Sequence, residues 1–199
     1  MQGNHYFTND PNLKHDIESF EIEKFGKSFT FLTDAGVFSK GRLDKGSELL
    51  IESVPTLLGK CADMGCGYGP IGIMLAVKNE ESEFILADIN ERAVGLANEN
   101  IKNNSVKNAK AVVSNGLWDI DGGLSYVISN PPIRIGKQAM YDLFRSAYEK
   151  LNMGGEFYIV IRKQQGAPSA KEFLKELFGE AETVNRGAGY HIIRSIKIK

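Results

Sequence analysis

From Lys60 onward, short apolar runs typical of strands alternate with longer runs typical of helices, and this alternation constrains the fold more than any other feature. The apolar runs predict strands at 61–64, 83–88, 109–114, 124–129 and 155–161. The longer runs predict helices at 70–78, 91–104, 137–151 and 167–179. Strands that alternate with helices are typical of a parallel sheet covered on both faces. We therefore predict an α/β fold with a doubly wound, mostly parallel sheet, closed by an antiparallel hairpin made of ETVNR and YHIIRSIKI.

The residues before this alternation have a different pattern. Apolar and polar residues alternate in ESFEIEKF and KSFTFLT, on either side of a Phe-Gly-Lys break, which predicts a β-hairpin over 17–34. A glycine-containing loop then leads into a predicted helix near Asp44. We divide the chain into an N-terminal hairpin-and-helix extension, residues 1–56, packed on a compact core, residues 57–199.

The composition argues against several kinds of site and partner. No apolar run approaches the roughly 20 residues that a membrane helix needs, and the polar N-terminus has no signal-like core, so we expect a cytoplasmic protein with no membrane association. Cys61, Cys66 and three scattered histidines have no zinc-ligand spacing, which predicts no metal site and two free thiols. A net charge of −1 gives no global basic signature, although the segment from Val160 to Lys199 contains eight Lys or Arg and only four Asp or Glu.

A glycine-rich loop, DMGCGYGPIG at 63–72, joins the first strand of the alternation to its helix. Its alternating glycines can adopt positive φ and allow a ligand close to the backbone, and the next helix offers free N–H groups. The run also matches the G-x-G-x-x-G pattern of dinucleotide sites, but a carboxylate at Asp63 would repel a pyrophosphate and attract an ammonium group. S-adenosylmethionine has a cationic amino-acid end and no phosphate. We expect it to be the cofactor, held by Asp63, Gly65, Cys66, Gly67 and Gly69.

Two further strand ends supply candidate contacts to an adenosine. Asp88 ends the second strand, with Ile89 after it, and a carboxylate there can bind both hydroxyls of a ribose. Asn115 follows the third strand, before Gly116, where its amide could recognise the edge of adenine. The same Asn-Gly pair fits a simple turn equally well, so both interpretations stay open at this point.

An Asn-Pro-Pro motif, Asn130-Pro131-Pro132, ends the apolar strand at 124–129. Prolines fix the backbone and remove N–H donors, so that carbonyl oxygens face a pocket without competing donors. The Asn130 amide oxygen and the Pro131 carbonyl form a paired acceptor, which can hold a planar amine while its nitrogen attacks an electrophilic methyl group. We predict that Asn130, Pro131, Pro132 and Ile133 form the catalytic segment, with Asn130 also beside the cofactor. A rigid strand-ending turn is the alternative.

The glycine loop, the Asp88 strand end and the NPP motif, in this order, resemble class I S-adenosylmethionine-dependent methyltransferases that modify exocyclic or amide nitrogens. The chain is most similar to one branch, the small-subunit ribosomal RNA guanine-N2 methyltransferases (the RsmC-like family). The stretches that carry this resemblance are GVFSKGRLDKGSELL, CADMGCGYGPIGIMLA, ADINERAVGLANENIKNN, ISNPPIRIGK and GGEFYIVIRKQQGA. The resemblance implies a Rossmann-like methyltransferase fold with a seven-stranded sheet. It also implies N-methylation of RNA, with guanine N2 of ribosomal RNA, free or in a small-subunit assembly particle, as the expected target.

The resemblance also implies roles for single residues. Phe38 and Asp44 would lie near the methionine end of the cofactor. The residue after NPP is often aromatic in such enzymes and stacks on a target base, whereas Ile133 offers only an apolar face.

We further expect a basic rim that binds RNA phosphates, made of Arg134, Lys137, Arg162 and Lys163. The first pair follows NPP and the second pair follows the strand at 155–161, so both should lie at the same edge of the sheet. Three other functions stay open. They are methylation of a protein glutamine amide, an inactive S-adenosylmethionine-binding RNA module, and an NAD(P) oxidoreductase that uses the glycines at 67–72.

Overall fold

The computed structural model describes residues 16–34, 42–132 and 135–199, so that the predictions for Phe38, Ile133 and Arg134 lie outside the described residues. The strands are β1 (Glu18–Lys24), β2 (Lys27–Thr33), β3 (Lys60–Met64), β4 (Glu83–Asp88), β5 (Ala109–Val113), β6 (Leu124–Ser129), β7 (Leu151–Arg162), β8 (Gly179–Gly187) and β9 (Tyr190–Lys197). The helices are α1 (Lys45–Ser53), α2 (Pro70–Lys78), α3 (Glu91–Asn103), α4 (Lys137–Lys150) and α5 (Ala167–Phe178).

The main sheet has seven strands in the order β5-β4-β3-β6-β7-β9-β8. The five strands from β5 to β7 pair in parallel, and β9 pairs antiparallel with both β7 and β8. This confirms the predicted doubly wound sheet and its closing hairpin. The direction of winding reverses between β3 and β6, which opens a crevice at the carboxyl ends of these two strands.

The N-terminal hairpin is also confirmed and forms a separate two-stranded sheet of β1 and β2. Its turn has positive φ at Phe25 (53°) and Gly26 (70°), as a two-residue type I′ turn requires. Phe29 and Phe31 are buried and belong to the same apolar cluster as Leu50 of α1.

Asn100 of α3 and Asn104, the C-cap residue after this helix, hold the free edge of β2. Asn100 accepts a hydrogen bond from Leu32 N (2.7 Å) and donates to Leu32 O (2.9 Å). Asn104 likewise accepts a hydrogen bond from Thr30 N (3.0 Å) and donates to Thr30 O (2.8 Å). These side chains replace the hydrogen bonds that a neighbouring strand would have made, and so they fix the hairpin on the core.

The core forms two apolar clusters, one on each face of the sheet. One cluster includes the hairpin, α1, α2 and α3, and the other includes α4 and α5. The division into residues 1–56 and 57–199 stays a prediction, since the hairpin and α1 share a cluster with the sheet. Among the described helices, none has the length and apolar character needed to cross a membrane.

The largest difference from the predicted boundaries lies where α4 ends and β7 begins. The helix predicted to reach Leu151 ends at Lys150, and β7 begins at Leu151 rather than at Gly155. The pairing of β6 with β7 is irregular here, because the register shifts between Leu124 and Tyr126. Gly154 therefore lies within an irregular strand and not in a loop before it.

Candidate active site

The glycine loop and the NPP motif meet at the crevice between β3 and β6. Ser129, the last residue of β6, donates a hydrogen bond from its hydroxyl to Met64 O (2.7 Å) at the end of β3. A Cβ atom placed on Gly65 would lie 4.0 Å from Pro132 Cδ. The structure thus brings together the two segments predicted to hold the cofactor and the acceptor amine.

The glycine loop uses the conformational freedom of its glycines. Gly65, Gly67 and Gly69 have φ values of 73°, 57° and 91°, which side chains rarely allow. The N–H groups of Gly65 and Cys66 donate to Ala87 O at 2.8 and 3.1 Å, so the loop is tied to β4. Gly69 is the N-cap of α2 and has no side chain to cap the helix, Pro70 after it has no N–H group, and Gly72 N at the helix start donates to Asp63.

Asp63 is the buried carboxylate of the site, with 1% of its surface exposed. Its Oδ2 accepts a hydrogen bond from Gly72 N (2.8 Å), whereas Oδ1 finds no partner among the described residues. Burial raises the pKa of Asp63 to about 7 against the opposing effect of the Gly72 donor, and the Asp88 charge adds to the increase. An unpaired buried oxygen is what the ammonium group of S-adenosylmethionine would satisfy, so the site fits this cofactor.

Asp88, half-buried at the end of β4, anchors the loop rather than standing free. Its Oδ2 accepts from Gly67 N and its Oδ1 from Asn90 N, both at 2.9 Å. Burial raises the pKa of this carboxyl, and the backbone donors oppose that effect. Ile89 beside it is exposed over 47% of its surface. Each carboxylate oxygen can accept a further hydrogen bond, so the predicted contacts to ribose stay a prediction.

Asn115 begins a turn, as one of its two interpretations required. Its carbonyl accepts from Trp118 N (3.2 Å), and its own N–H donates to Asp119 Oδ2 (3.2 Å). Gly116 has φ of 58°, and a Cβ there would lie 2.7 Å from Ser146 Oγ. The Asn115 side chain is exposed, and its contact with adenine and the place of Gly116 in the cofactor site stay predictions.

The two cysteines are free and buried, which confirms the prediction of free thiols. Burial raises the pKa of Cys61 to about 12. Burial also raises the pKa of Cys66 well above its ordinary value, and the charges of Asp88 and Asp63 act in the same direction. Both thiols therefore stay protonated near neutral pH, and Cys66 can contact a ligand only as a neutral group. No group of three or more potential metal ligands occurs in the part of the chain that the structure describes.

The Asn130 side chain is held by the start of α1. Its Nδ2 donates to Ser47 Oγ (3.0 Å) and to Asp44 Oδ2 (3.3 Å). No described residue donates to its Oδ1, and Pro131 after it is buried. The sequence pointed to Asp44 through the family resemblance but missed Ser47. The Asp-x-x-Ser spacing of a helix cap was the signal that could have placed Ser47 beside Asp44.

The described residues of the predicted rim occupy three positions at the carboxyl edge. Lys137 begins α4, and its Nζ lies 5.4 Å from the centre of the Tyr141 ring. Arg162 ends β7, where its Nε donates to Tyr190 Oη (2.9 Å). Lys163 follows it, exposed and held by a backbone hydrogen bond to Gly189 O (3.0 Å). Contact of these residues with RNA stays a prediction.

A glycine loop at the switch point of a sheet with this strand order is the architecture of class I S-adenosylmethionine-dependent methyltransferases, and the chain is an enzyme of this class. It belongs to the family described as Methyltransferase small domain, whose model matches residues 28–194. The NAD(P) oxidoreductase, one of the alternatives left open by the sequence, is therefore excluded.

Known proteins similar to this chain include full-length and partial matches. The chain is 42% identical to "Uncharacterized protein YbxB" of Bacillus subtilis, and the match covers 98% of each chain. It is 33% identical to Ribosomal RNA small subunit methyltransferase C of Erwinia tasmaniensis, over 94% of this chain and 55% of that protein. The corresponding protein of Escherichia coli K12 is 32% identical, over 91% and 53%. The chain thus spans about half the length of the ribosomal RNA methyltransferases that it matches.

The fold is also found in solved structures. The T. thermophilus 16S rRNA N2 G1207 methyltransferase (RsmC), in complex with AdoMet and guanosine, superposes with a TM-score of 0.81 at 24% identity. This match covers 91% of the present chain and 50% of that chain. The similarity confirms the predicted Rossmann-like methyltransferase fold.

Proposed function

We propose that the chain methylates a nitrogen of RNA, with guanine N2 of small-subunit ribosomal RNA as its target. The observation that carries this proposal is the orientation of Asn130, whose NH2 group is bonded to Asp44 and Ser47. Its oxygen is therefore the atom left to accept a hydrogen bond from an amine. Relatives at 32–33% identity that are named as ribosomal RNA methyltransferases support RNA as the substrate class, and we expect the reaction to take place in the cytoplasm.

The cofactor would be held at three points of the chain. The unpaired Oδ1 of Asp63 would accept from its ammonium group, the backbone at 65–69 would contact its methionine part, and Asp88 would bind the ribose hydroxyls. Ile89, Asn115 and Gly116 would border the adenine. When bound, S-adenosylmethionine supplies an electrophilic methyl group on a sulfonium.

The acceptor amine would be held by Asn130 and Pro131. Asn130 Oδ1 and the Pro131 carbonyl would accept its two N–H bonds and fix its plane, so that the nitrogen lone pair points along the line of transfer. As the new N–C bond formed and the methyl–sulfur bond broke, positive charge would move from the sulfonium to the nitrogen, and the two acceptors would stabilise that charge. The proton becomes acidic only then and leaves to solvent, so no strong base is needed.

The substrate class is tested by methyl transfer from radiolabelled S-adenosylmethionine. The acceptors are deproteinised total RNA, small-subunit particles and total protein, all from a strain that lacks this chain. We expect label that ribonuclease releases, and that mass mapping identifies as N2-methylguanosine. Label released only by protease would contradict the proposal and favour a glutamine amide, which the same acceptor pair could hold.

The role of the NPP segment is tested by Asn130→Ala. S-adenosylmethionine affinity should stay near the wild-type value, while the single-turnover rate falls by about a hundredfold or more, as for loss of a transition-state hydrogen bond. Asn103→Ala, an exposed asparagine on α3, is the matched control and should retain the full rate. A wild-type rate for Asn130→Ala would remove Asn130 from the reaction.

A further inference from the structure

A hydrogen-bonded group of three side chains, Asp44, Ser47 and Asn130, joins the start of α1 to the end of β6. We call it the Asn130 bracket. Asp44 Oδ1 accepts the backbone N–H groups of Gly46 (2.9 Å) and Ser47 (3.1 Å) as the N-cap of α1. Its Oδ2 accepts from the Ser47 hydroxyl, and both side chains then accept from Asn130 Nδ2. The Asn130 amide thus contacts Ser47 and Asp44, which lie 83 and 86 residues before it in the sequence.

The bracket distinguishes the two ends of the Asn130 amide. The Ser47 hydroxyl proton is directed to Asp44, so Ser47 Oγ can only accept from Asn130, and a carboxylate can only accept. If the amide rotated by half a turn, its oxygen would face these acceptor oxygens and its hydrogen bonds to them would be lost. The observed orientation is therefore the one that leaves Oδ1 free to face the crevice.

The base of the bracket is itself tightly packed. Gly46 is buried, and a Cβ on it would lie 2.8 Å from Tyr190 Cε1 of β9. The start of α1 thus lies directly against the sheet, with no room for a larger residue. Asp44 and Ser47 are held in place by this contact and by the cap, so they can fix the Asn130 side chain.

We propose that Asp44 and Ser47 are positioning residues that hold the Asn130 amide with its oxygen toward the acceptor nitrogen. This inference rests on the proposed function for the role of that oxygen, but the orientation of the amide can be measured without any substrate. Asp44, which the family resemblance places beside the methionine end of the cofactor, acts here through Asn130.

The main test is Asp44→Asn, with Ser53→Ala on the same helix as the control. The new amide keeps one oxygen for the cap of α1 but replaces the other by an NH2 group, which faces the NH2 of Asn130. We expect the Asn130 amide to rotate and the single-turnover rate on small-subunit ribosomal RNA to fall at least tenfold, with S-adenosylmethionine affinity within twofold of wild type. A loss of affinity with an unchanged rate would instead make Asp44 a cofactor ligand and overturn the proposal.

A reciprocal pair of substitutions separates positioning from simple structural damage. Asn130→Asp should be slow, because it places two carboxylates against each other. Combining it with Asp44→Asn restores a donor facing an acceptor, with the roles exchanged, and leaves one carboxylate oxygen of position 130 toward the crevice. We expect the double variant to recover to within about tenfold of the wild-type rate. A double variant as slow as the slower single variant would contradict the bracket.

A measurement on the substrate-free protein keeps the bracket and the proposed function distinguishable. The side-chain 15N–1H2 signals of Asn130 should show slowed hydrogen exchange in the wild type and in Ser53→Ala, and fast exchange in Asp44→Asn. Fast exchange in the wild type would overturn the bracket whatever the enzyme methylates. Slow exchange in the wild type together with no methylation of any RNA would overturn the proposed function and leave the bracket standing.

Discussion

The Asp88 carboxylate at the end of β4 accepts a hydrogen bond of 2.9 Å from Gly67 N in the loop after β3. The residue predicted to bind the ribose therefore also holds the loop predicted to bind the methionine part. Because the same side chain accepts from Asn90 N at the start of α3, it joins three consecutive segments of the candidate cofactor site. Loss of this carboxylate should therefore affect the whole cofactor site.

Asp88→Ala should weaken S-adenosylmethionine binding by about ten- to a hundredfold, since hydrogen bonds to a charged group contribute roughly 1.5–3 kcal/mol. Isothermal titration calorimetry measures this directly. Glu83→Ala is the matched control, because Glu83 lies exposed at the opposite end of the same strand. Equal affinity in the wild type and in Asp88→Ala would exclude Asp88 from the site.

The stability of the ligand-free protein should depend on pH through Asp63. Its pKa is about 7 in the folded state and 3.8 ordinarily, so between these values the folded chain retains a proton that the unfolded chain has lost. Stability should therefore fall as pH rises from about 4 to 7, by about 4 kcal/mol at most, and stay level above 7.

Asp63→Asn has no charge to bury and tests this dependence. Chemical denaturation from pH 4 to 8 should show a smaller fall in this variant than in the wild type. A fall in stability remains in both the wild type and Asp63→Asn, because burial also raises the pKa of Asp88, which both proteins contain. Identical pH profiles for the two proteins would show that Asp63 is ionised throughout this range.

Asn100 should contribute more to stability than its neighbours on α3. It is fully buried and makes three hydrogen bonds to backbone groups of Leu32 and Tyr68, at 2.7–2.9 Å. Asn100→Ala should lower the free energy of unfolding by about 3 kcal/mol, because buried backbone groups lose their partners. Asn103→Ala, on the exposed face of the same helix, should change it by less than about 0.5 kcal/mol. Equal effects at both positions would mean that the hairpin does not depend on this contact.

The main sheet could be predicted because its signals are local. Each strand from β3 to β6 is a short apolar run, and longer runs typical of helices follow β3 and β4, so the βαβ pattern follows without any knowledge of contacts. The start of β7 at Leu151 could not be predicted in this way. Gly154 favours a loop locally, whereas the pairing of Leu151 with Leu124 extends the strand past it.

The site was predictable in its segments but not in its side-chain contacts. The glycine loop and the NPP motif can be recognised directly in the sequence. Each follows a strand, and the carboxyl ends of neighbouring parallel strands lie at the same edge of the sheet. The hydrogen bond of Asn130 to Ser47 joins positions 83 residues apart, and no local pattern encodes it. Similarly, nothing near Asn100 indicates that its amide substitutes for a strand beside β2.

The predicted basic rim can be tested with two of its described lysines, Lys137 and Lys163. Both are exposed and follow the carboxyl ends of β6 and β7, at the edge where NPP lies. Arg162 is a poorer probe, because its contact with Tyr190 gives it a structural role.

The double variant Lys137→Ala/Lys163→Ala should bind ribosomal RNA more weakly and with a smaller dependence on salt. Each lost phosphate contact reduces the slope of log K against log salt by roughly 0.7–0.9, so the two together should reduce it by about 1.5. Lys60→Ala/Lys107→Ala makes the same change in net charge at the amino edge of the sheet, and its slope should match the wild type. S-adenosylmethionine affinity should be equal in all three proteins. Equal slopes for both double variants would show that RNA does not cross this edge, and would favour a protein amide as the substrate.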